Sequence, residues 1–384
     1  MKNKIRITAT VLLTVMLSLF HGKAGASVGK LKVQIVFCLD ATGSMSGLIA
    51  AAKEKIWSIA GSIAAADSAP DITMGMVYYR DRGDAFVTKV TPLTVNLDGL
   101  YTELIAMKAD QGGDTPESVN KALYDAVHDM KWSQDTTVLK YIFLVGDCPP
   151  HMNYDETKYP EICERAKKKD IVINTILMGG NSEARMIWQE IASKTGGEFI
   201  QTDMAVRNFE VHSPYDAEIK KLSEQLDQKR YYCRTPEVKV ASISKMEEAD
   251  KLKVITEAES ARRCDYNLAN STNVGNYYGT GELLHMISTK KVKLEDVKEK
   301  ELPEALAKIE KDKREAWVAQ QIAERDSIQK TLTTLLAKRQ EHINKELAAM
   351  KKEDVDNSFN AKVYNIINTS ATRKGYKMKS HAKF

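Results

Sequence analysis

Three short segments, residues 31–39, 138–145 and 171–178, are apolar almost from end to end. A strand with one wet face alternates apolar and polar side chains. An unbroken apolar run instead suits a strand buried on both faces, as in a parallel sheet covered by helices on two sides. Between these runs the period changes. Leu48, Ala52, Ile56, Ile59 and Ile63 recur at the spacing of one helix face. Residues 72–79 and 85–90 read as two strands around the polar turn Arg80-Asp81-Arg82-Gly83-Asp84. Residues 118–128, 163–169 and 184–194 read as helices, the last stopped by Gly196-Gly197, and 198–201 as a final short strand. Strands alternating with helices predict an α/β fold, a doubly wound and mostly parallel sheet with helices on both faces.

The start of the chain has a different character. Lys2, Lys4 and Arg6 precede an apolar run over 7–20, and Ala24-Gly25-Ala26 follows. This is the pattern of a secretory signal peptide cut before Ser27, so residues 1–26 are expected to be removed. The run falls short of the roughly 20 apolar residues a membrane span needs. The expected location is therefore periplasmic or secreted, with no membrane span after cleavage. The segment holds four basic residues and no acidic one; removing them from the 56 Lys and Arg leaves 52, equal to the 52 Asp and Glu. A net charge of zero gives no general reason to expect nucleic acid or an anionic membrane as partner. Export permits disulfides, and the five cysteines leave at least one thiol unpaired within a monomer. Cys233 and Cys264, both outside the expected sheet, are the favoured pair.

The expected organisation is a sheet domain over 31–205, a mixed and mostly helical region over 206–300, and a long-helix region over 301–384. Residues 214–262 are charge-rich with a helical pattern, and 267–280 read as a polar loop rich in Gly and Asn. From Leu302 a long helix is expected. Ile328, Leu332, Leu335 or Leu336, Ile343 and Leu347 form an apolar stripe along it. The stripe suits a helical hairpin or coiled coil, through which the chain could form homo-oligomers. It equally suits a helix packed on its own domain.

Three loops carry oxygen-rich side chains. The first apolar run ends in Asp40-Ala41-Thr42-Gly43-Ser44, with a helix starting at once. In an open parallel sheet the carboxyl ends of the strands form the binding crevice. One carboxylate and two hydroxyls on a tight turn suit Mg²⁺, which takes oxygen ligands; helix capping by Ser44 or Ser46 is the plainer reading of this segment alone. Val145-Gly146-Asp147 sets a second carboxylate at the same edge. Gly112-Gly113-Asp114-Thr115-Pro116-Glu117-Ser118 supplies a hydroxyl at Thr115 and carboxylates at Asp114 and Glu117.

Together the three segments resemble the metal-ion-dependent adhesion site of von Willebrand factor A domains. There the first loop reads D-x-S-x-S, a Thr comes from the second loop and an Asp from the third. The resemblance runs from Leu31 to about Gln201 and maps these positions onto Asp40, Thr42, Ser44, Thr115 and Asp147. Thr42 stands where Ser is usual, which keeps the hydroxyl. The second loop is closer to the D-S-P-E of integrin β-subunit domains, where the Glu reaches the metal, so Thr115 and Glu117 compete for the second-loop role, with Thr115 preferred. The resemblance implies a bound Mg²⁺, or Mn²⁺ or Ca²⁺, that captures an Asp or Glu carboxylate of a protein ligand, without catalysis.

Two other readings stand beside it. Cys148 follows Asp147 and His151 lies three residues on, so a thiol hydrolase is conceivable. A metal-assisted hydrolase usually has His ligands or several carboxylates, and no His lies in the three loops. A structural assembly protein using its helical half is the third. Arg82-Gly83-Asp84 spells a cell-adhesion tripeptide, but Gly and Asp are ordinary residues of such a turn.

Overall fold

The computed structural model describes residues 30–64, 70–110, 112, 115–202, 211–356, 358–373 and 375–376. The expected signal peptide and Asp114 lie outside these residues. The sheet has six strands: β1 (Lys32–Asp40), β2 (Asp71–Tyr79), β3 (Thr88–Thr94), β4 (Leu139–Gly146), β5 (Ile171–Met178) and β6 (Phe199–Thr202). Their order is β3-β2-β1-β4-β5-β6, all parallel except the antiparallel edge strand β3. The helices of this half are α1 (Ser46–Ala64), α2 (Leu97–Ala106), α3 (Val119–His128), α4 (Tyr159–Lys168) and α5 (Ser182–Thr195).

The unbroken apolar runs have the expected cause. Along β1, Val33, Ile35, Phe37 and Leu39 enter the core under α1 and α2, while Val36 and Cys38 enter the core under α3, α4 and α5. Both faces are covered, and positions Val36–Leu39 are accordingly apolar and buried. The edge strand lies later than expected, over Thr88–Thr94 rather than 85–90. The chain first closes the turn, where the Arg80 amide donates to the Val87 carbonyl at 3.0 Å. Pro92, which lacks an N–H, is tolerated because β3 pairs on one side only.

The second half is helical: α6 (Asp216–Gln228), α7 (Pro236–Lys251), α8 (Glu257–Leu268), α9 (Ser271–Tyr278), α10 (Leu283–Ser288), α11 (Glu304–Ala307), α12 (Arg314–Ala349), α13 (Lys352–Asp356) and α14 (Phe359–Arg373). Two expectations are corrected. The polar stretch 267–280 holds helix α9, capped by Asn270, whose Oδ1 accepts from the Asn273 amide at 3.0 Å. Burial of Asn273, Tyr277 and Tyr278 outweighs the weak helix propensity of this stretch. The long helix begins at Arg314, not Leu302, and ends at Ala349, where Met350 is extended.

The apolar stripe of α12 is covered within the chain. Leu332 and Leu335, flanked by Ile328 and Leu336, pack with Ile219 and Leu226 of α6 and Ala261 and Cys264 of α8; Ile343 and Leu347 join Val211, Ala361 and Tyr364. The two halves also share a core. Leu252, Ile255, Tyr266, Val363, Ile366 and Ile367 belong to the same buried cluster as Ile56, Trp57 and Leu100. Trp57 of α1 lies 5.4 Å from the Tyr101 ring and 5.7 Å from that of Tyr266. Beside this contact Arg263 of α8 grips Asp98 of α2 through two bonds, at 2.7 and 2.8 Å, and reaches Asp227 at 2.9 Å.

The expected Cys233–Cys264 bridge is absent. All five cysteines are buried free thiols. Cys233 packs with Val238, Leu283 and Leu302, and Cys264 with Ile219 and Leu332, in separate apolar clusters. No described helix is long and apolar enough to cross a membrane.

Candidate functional site

Strands β1 and β4 are parallel neighbours, with Leu39 opposite Val145, so Asp40 and Asp147 emerge at one edge. Gly146 is the point of closest approach. A Cβ there would lie 2.3 Å from the Tyr79 hydroxyl and 3.1 Å from Asp40 Oδ2. After Asp40 the chain turns sharply. Asp40 Oδ1 accepts from the Thr42 amide at 2.9 Å and from the Thr42 hydroxyl at 2.6 Å, and the Ser44 hydroxyl lies 3.2 Å from that of Thr42. A single 3-10 turn over Gly43–Met45 then leads into α1.

The second loop is fastened to the third. The Glu117 amide donates to the Pro149 carbonyl at 2.9 Å, and the His151 amide donates to the Glu117 carbonyl at 3.1 Å. Gly112, at φ +74°, presses against the first loop; a Cβ there would stand 2.8 Å from Thr42 Cβ and 3.6 Å from Glu117 Oε1. That close approach, in a left-handed conformation, requires glycine.

Asp40, Thr42 and Glu117 are buried, Asp147 is partly buried, and Ser44 and Thr115 are exposed. Of the two second-loop candidates, Glu117 thus points its side chain into the interior, while Thr115 lies at the surface. Asp40 Oδ2, Glu117 Oε2 and Asp147 Oδ1 are buried without a hydrogen-bond partner. Burial pushes the Asp40 carboxyl up to about 7, with Asp147 and Asp84 adding to the rise against the bonds from Thr42. Burial pushes Glu117 up to about 9, helped by Asp40, Asp81, Asp84 and Asp147. Buried carboxyls this close to one another disfavour each other's charged form. The donor set, carboxylates with hydroxyls, fits a hard divalent cation. Among the described residues no group of three or more His, Cys, Asp or Glu is arranged to hold a metal ion.

The thiol reading loses its base. His151 Nε2 faces Asp81 Oδ2 and Nδ1 faces Asn153 Oδ1, both at 3.1 Å, so both ring nitrogens are engaged away from Cys148. Burial, followed by Asp147, pushes the Cys148 thiol far above its ordinary value, leaving little thiolate. The turn holding Arg82-Gly83-Asp84 is fastened to its neighbours, with Arg82 and Gly83 exposed. Arg82 lies 3.9 Å over the Tyr154 ring and bonds Glu156 at 3.1 Å, and Asp84 Oδ2 accepts from the Asp81 amide at 3.1 Å. Local patterning read this turn only as a connection; the residues it brings to the site, Arg80 and Asp81, carry no local signal.

Residues 34–204 match the family model of the von Willebrand factor A domain, a little less than half of the chain, and the sheet and candidate loops lie inside the match. Residues 34–204 are thus similar to von Willebrand factor A domains, which suggests a protein-interaction module. An ariadne-like RING finger protein of Acanthamoeba polyphaga mimivirus is 22% identical over 183 residues, 43% of this chain and 18% of its own length. The chain therefore spans under a fifth of that relative. Among solved structures, the SpRpn10 VWA domain is 14% identical with a TM-score of 0.35, over 46% of this chain and 89% of that one. Proximal thread matrix protein 1 from the mussel byssus is 15% identical with a TM-score of 0.35, over 46% of this chain and 43% of that one.

Proposed function

We propose that this is an exported binding protein that captures an acidic side chain of a protein partner through a metal-ion-dependent adhesion site. The observation that carries the reading is the set of partnerless buried oxygens on Asp40, Glu117 and Asp147 beside the Thr42 and Ser44 hydroxyls. Asp40, Thr42, Ser44 and Asp147 would hold the cation, with Glu117 favoured over Thr115 from the second loop because its carboxyl is the buried one. Mg²⁺ is the first choice, and Mn²⁺ or Ca²⁺ take the same oxygen ligands. Bound there, the cation supplies a positive centre for an incoming Asp or Glu carboxylate. The chain's own part is to hold oxygen donors in place. The signal-peptide pattern of residues 1–26 supports a periplasmic or secreted setting.

The test is calorimetric titration of Mg²⁺ into the purified protein, beside Asp40→Ala and Asp147→Ala. Binding that vanishes in both variants supports the site. A parent that neither binds Mg²⁺ or Mn²⁺ nor gains thermal stability from them rejects it.

A further inference from the structure

We infer that Asp81 is the positioning residue of the candidate site, a strut that sets the second loop against the third. Its effect on metal binding rests on the reading above; its effect on the loops does not.

Asp81 follows β2, which lies beside β1, so the turn after β2 opens next to the loops that follow β1 and β4. The Asp81 side chain is buried, and its two oxygens face different loops. Oδ1 accepts from the hydroxyl of Ser118, the neighbour of Glu117, at 2.8 Å. Oδ2 accepts from the Tyr154 hydroxyl at 2.9 Å and lies 3.1 Å from His151 Nε2, both on the chain that follows Asp147. Ser118 and His151 flank the short bridge in which Glu117 pairs with Pro150. The carboxylate therefore ties together the residues on either side of that bridge.

The preceding residue completes the tie. Arg80 Nε donates at 3.0 Å to the carbonyl of Ala41, between Asp40 and Thr42, and Nη2 donates at 2.8 Å to the Lys108 carbonyl ahead of the second loop. Its own carbonyl accepts from the Ser118 amide at 3.3 Å. One turn, Arg80-Asp81, thus reaches all three loops. A carboxylate suits the strut position because it only accepts, and its partners include two hydroxyl donors. Burial opposes its charge, but the bonds from Ser118, the Arg82 amide and Tyr154, with His151, outweigh that and hold its pKa below the ordinary value. Residues behind metal ligands that fix their orientation typically change metal affinity by about 10–100-fold when removed.

The experiment uses the whole protein and two readouts. Mg²⁺ affinity is measured by calorimetry for the parent, Asp81→Ala, Ser118→Ala, His151→Phe and the doubles that combine each of the latter with Asp81→Ala. Phe keeps a ring to stack on Tyr154, whose centroid is 3.9 Å from that of His151. Asp81→Ala is expected to weaken Mg²⁺ binding by about 10–100-fold. Ser118→Ala and His151→Phe should each weaken it less, and neither should add to Asp81→Ala, since all three break one unit. Leu332→Ala, remote in α12, should lower thermal stability and leave Mg²⁺ affinity unchanged. Should Asp81→Ala not fold, Ser118→Ala, which removes one hydroxyl, carries the test.

The second readout is amide hydrogen exchange without metal at Glu117 and His151, the two amides of the bridge. Faster exchange at both in Asp81→Ala or Ser118→Ala, with exchange in α12 unchanged, supports the strut. Unchanged affinity in a parent that binds Mg²⁺, fully additive losses, or unchanged exchange overturns it. A parent that binds no Mg²⁺ removes the metal reading alone, and the strut is then decided by exchange.

Discussion

Asp40 is bound by Thr42 on one side only. Oδ1 takes both the Thr42 amide and the Thr42 hydroxyl, at 2.9 and 2.6 Å, while Oδ2 is buried with no donor. The turn therefore orients the carboxyl and leaves one oxygen to be satisfied by something else. With Asp40 raised to about 7 and Glu117 to about 9, a cation has to displace protons to bind. Near neutral pH, Mg²⁺ binding should release protons. The heat of titration should then vary with the ionisation enthalpy of the buffer, and less so in Glu117→Gln. A buffer-independent heat would count against proton displacement.

Gly146 has no room for a side chain. Gly146→Ala should destabilise the fold by about 1–3 kcal/mol through overpacking, because the new Cβ meets the Tyr79 hydroxyl at 2.3 Å and Asp40 Oδ2 at 3.1 Å. Tyr79→Phe removes the nearer obstacle and should restore part of the loss. Urea unfolding of the two single variants and the double measures this; strict additivity would sink the explanation.

The Arg263–Asp98 pair joins the helical half to the sheet half, and both side chains are almost fully buried. Burial would raise the Asp98 carboxyl; the Arg263 guanidinium overcomes this and holds it well below the usual range. A depressed carboxyl contributes stability that is present above its unfolded pKa and lost as pH falls towards its folded value. Asp98→Ala should destabilise the fold near neutral pH, by less than the roughly 3–5 kcal/mol of a fully unpaired buried charge, because Asp227 still holds the guanidinium. The deficit should shrink as pH drops below the ordinary carboxyl range, followed as denaturant midpoints against pH.

The five thiols should be silent in the native state. Each is buried, and no pair is bridged. A thiol reagent should label the native protein slowly and all five sites once it is unfolded, without prior reduction. Mass mapping that recovered a Cys233–Cys264 linked peptide would contradict the structure.

The stripe of α12 serves the interior. Ile343→Ala should destabilise by about 2–5 kcal/mol through the cavity it leaves. Because Ile343 is covered by Val211, Ala361 and Tyr364 of the same chain, sedimentation of the folded variant should match the parent. A change in association state would reopen the coiled-coil reading.

Much of the sheet half was legible in the sequence because its signal is local. An apolar run such as 138–145 shows that both faces of a strand are covered, and the change of period after Asp40 marks the entry to α1. The oxygen-bearing loops were legible for the same reason: Asp40, Thr42 and Ser44 are neighbours, and strand ends in a parallel sheet share an edge. Helix α9 was not, because its stability comes from Tyr277 and Tyr278 packing on elements distant in sequence. The long helix was misplaced at its start, a boundary that periodicity does not mark; it begins at Arg314.

Tertiary structure alone decided which of Thr115 and Glu117 is buried, since that depends on the bridge between Glu117 and Pro150. It alone brought Arg80 and Asp81 to the site, by setting β2 next to β1. It alone separated Cys233 from Cys264 and folded α14 back onto the core under α1. Periodicity reports which side of an element is buried; it carries no record of which distant element does the burying, and that choice sets the contacts between loops.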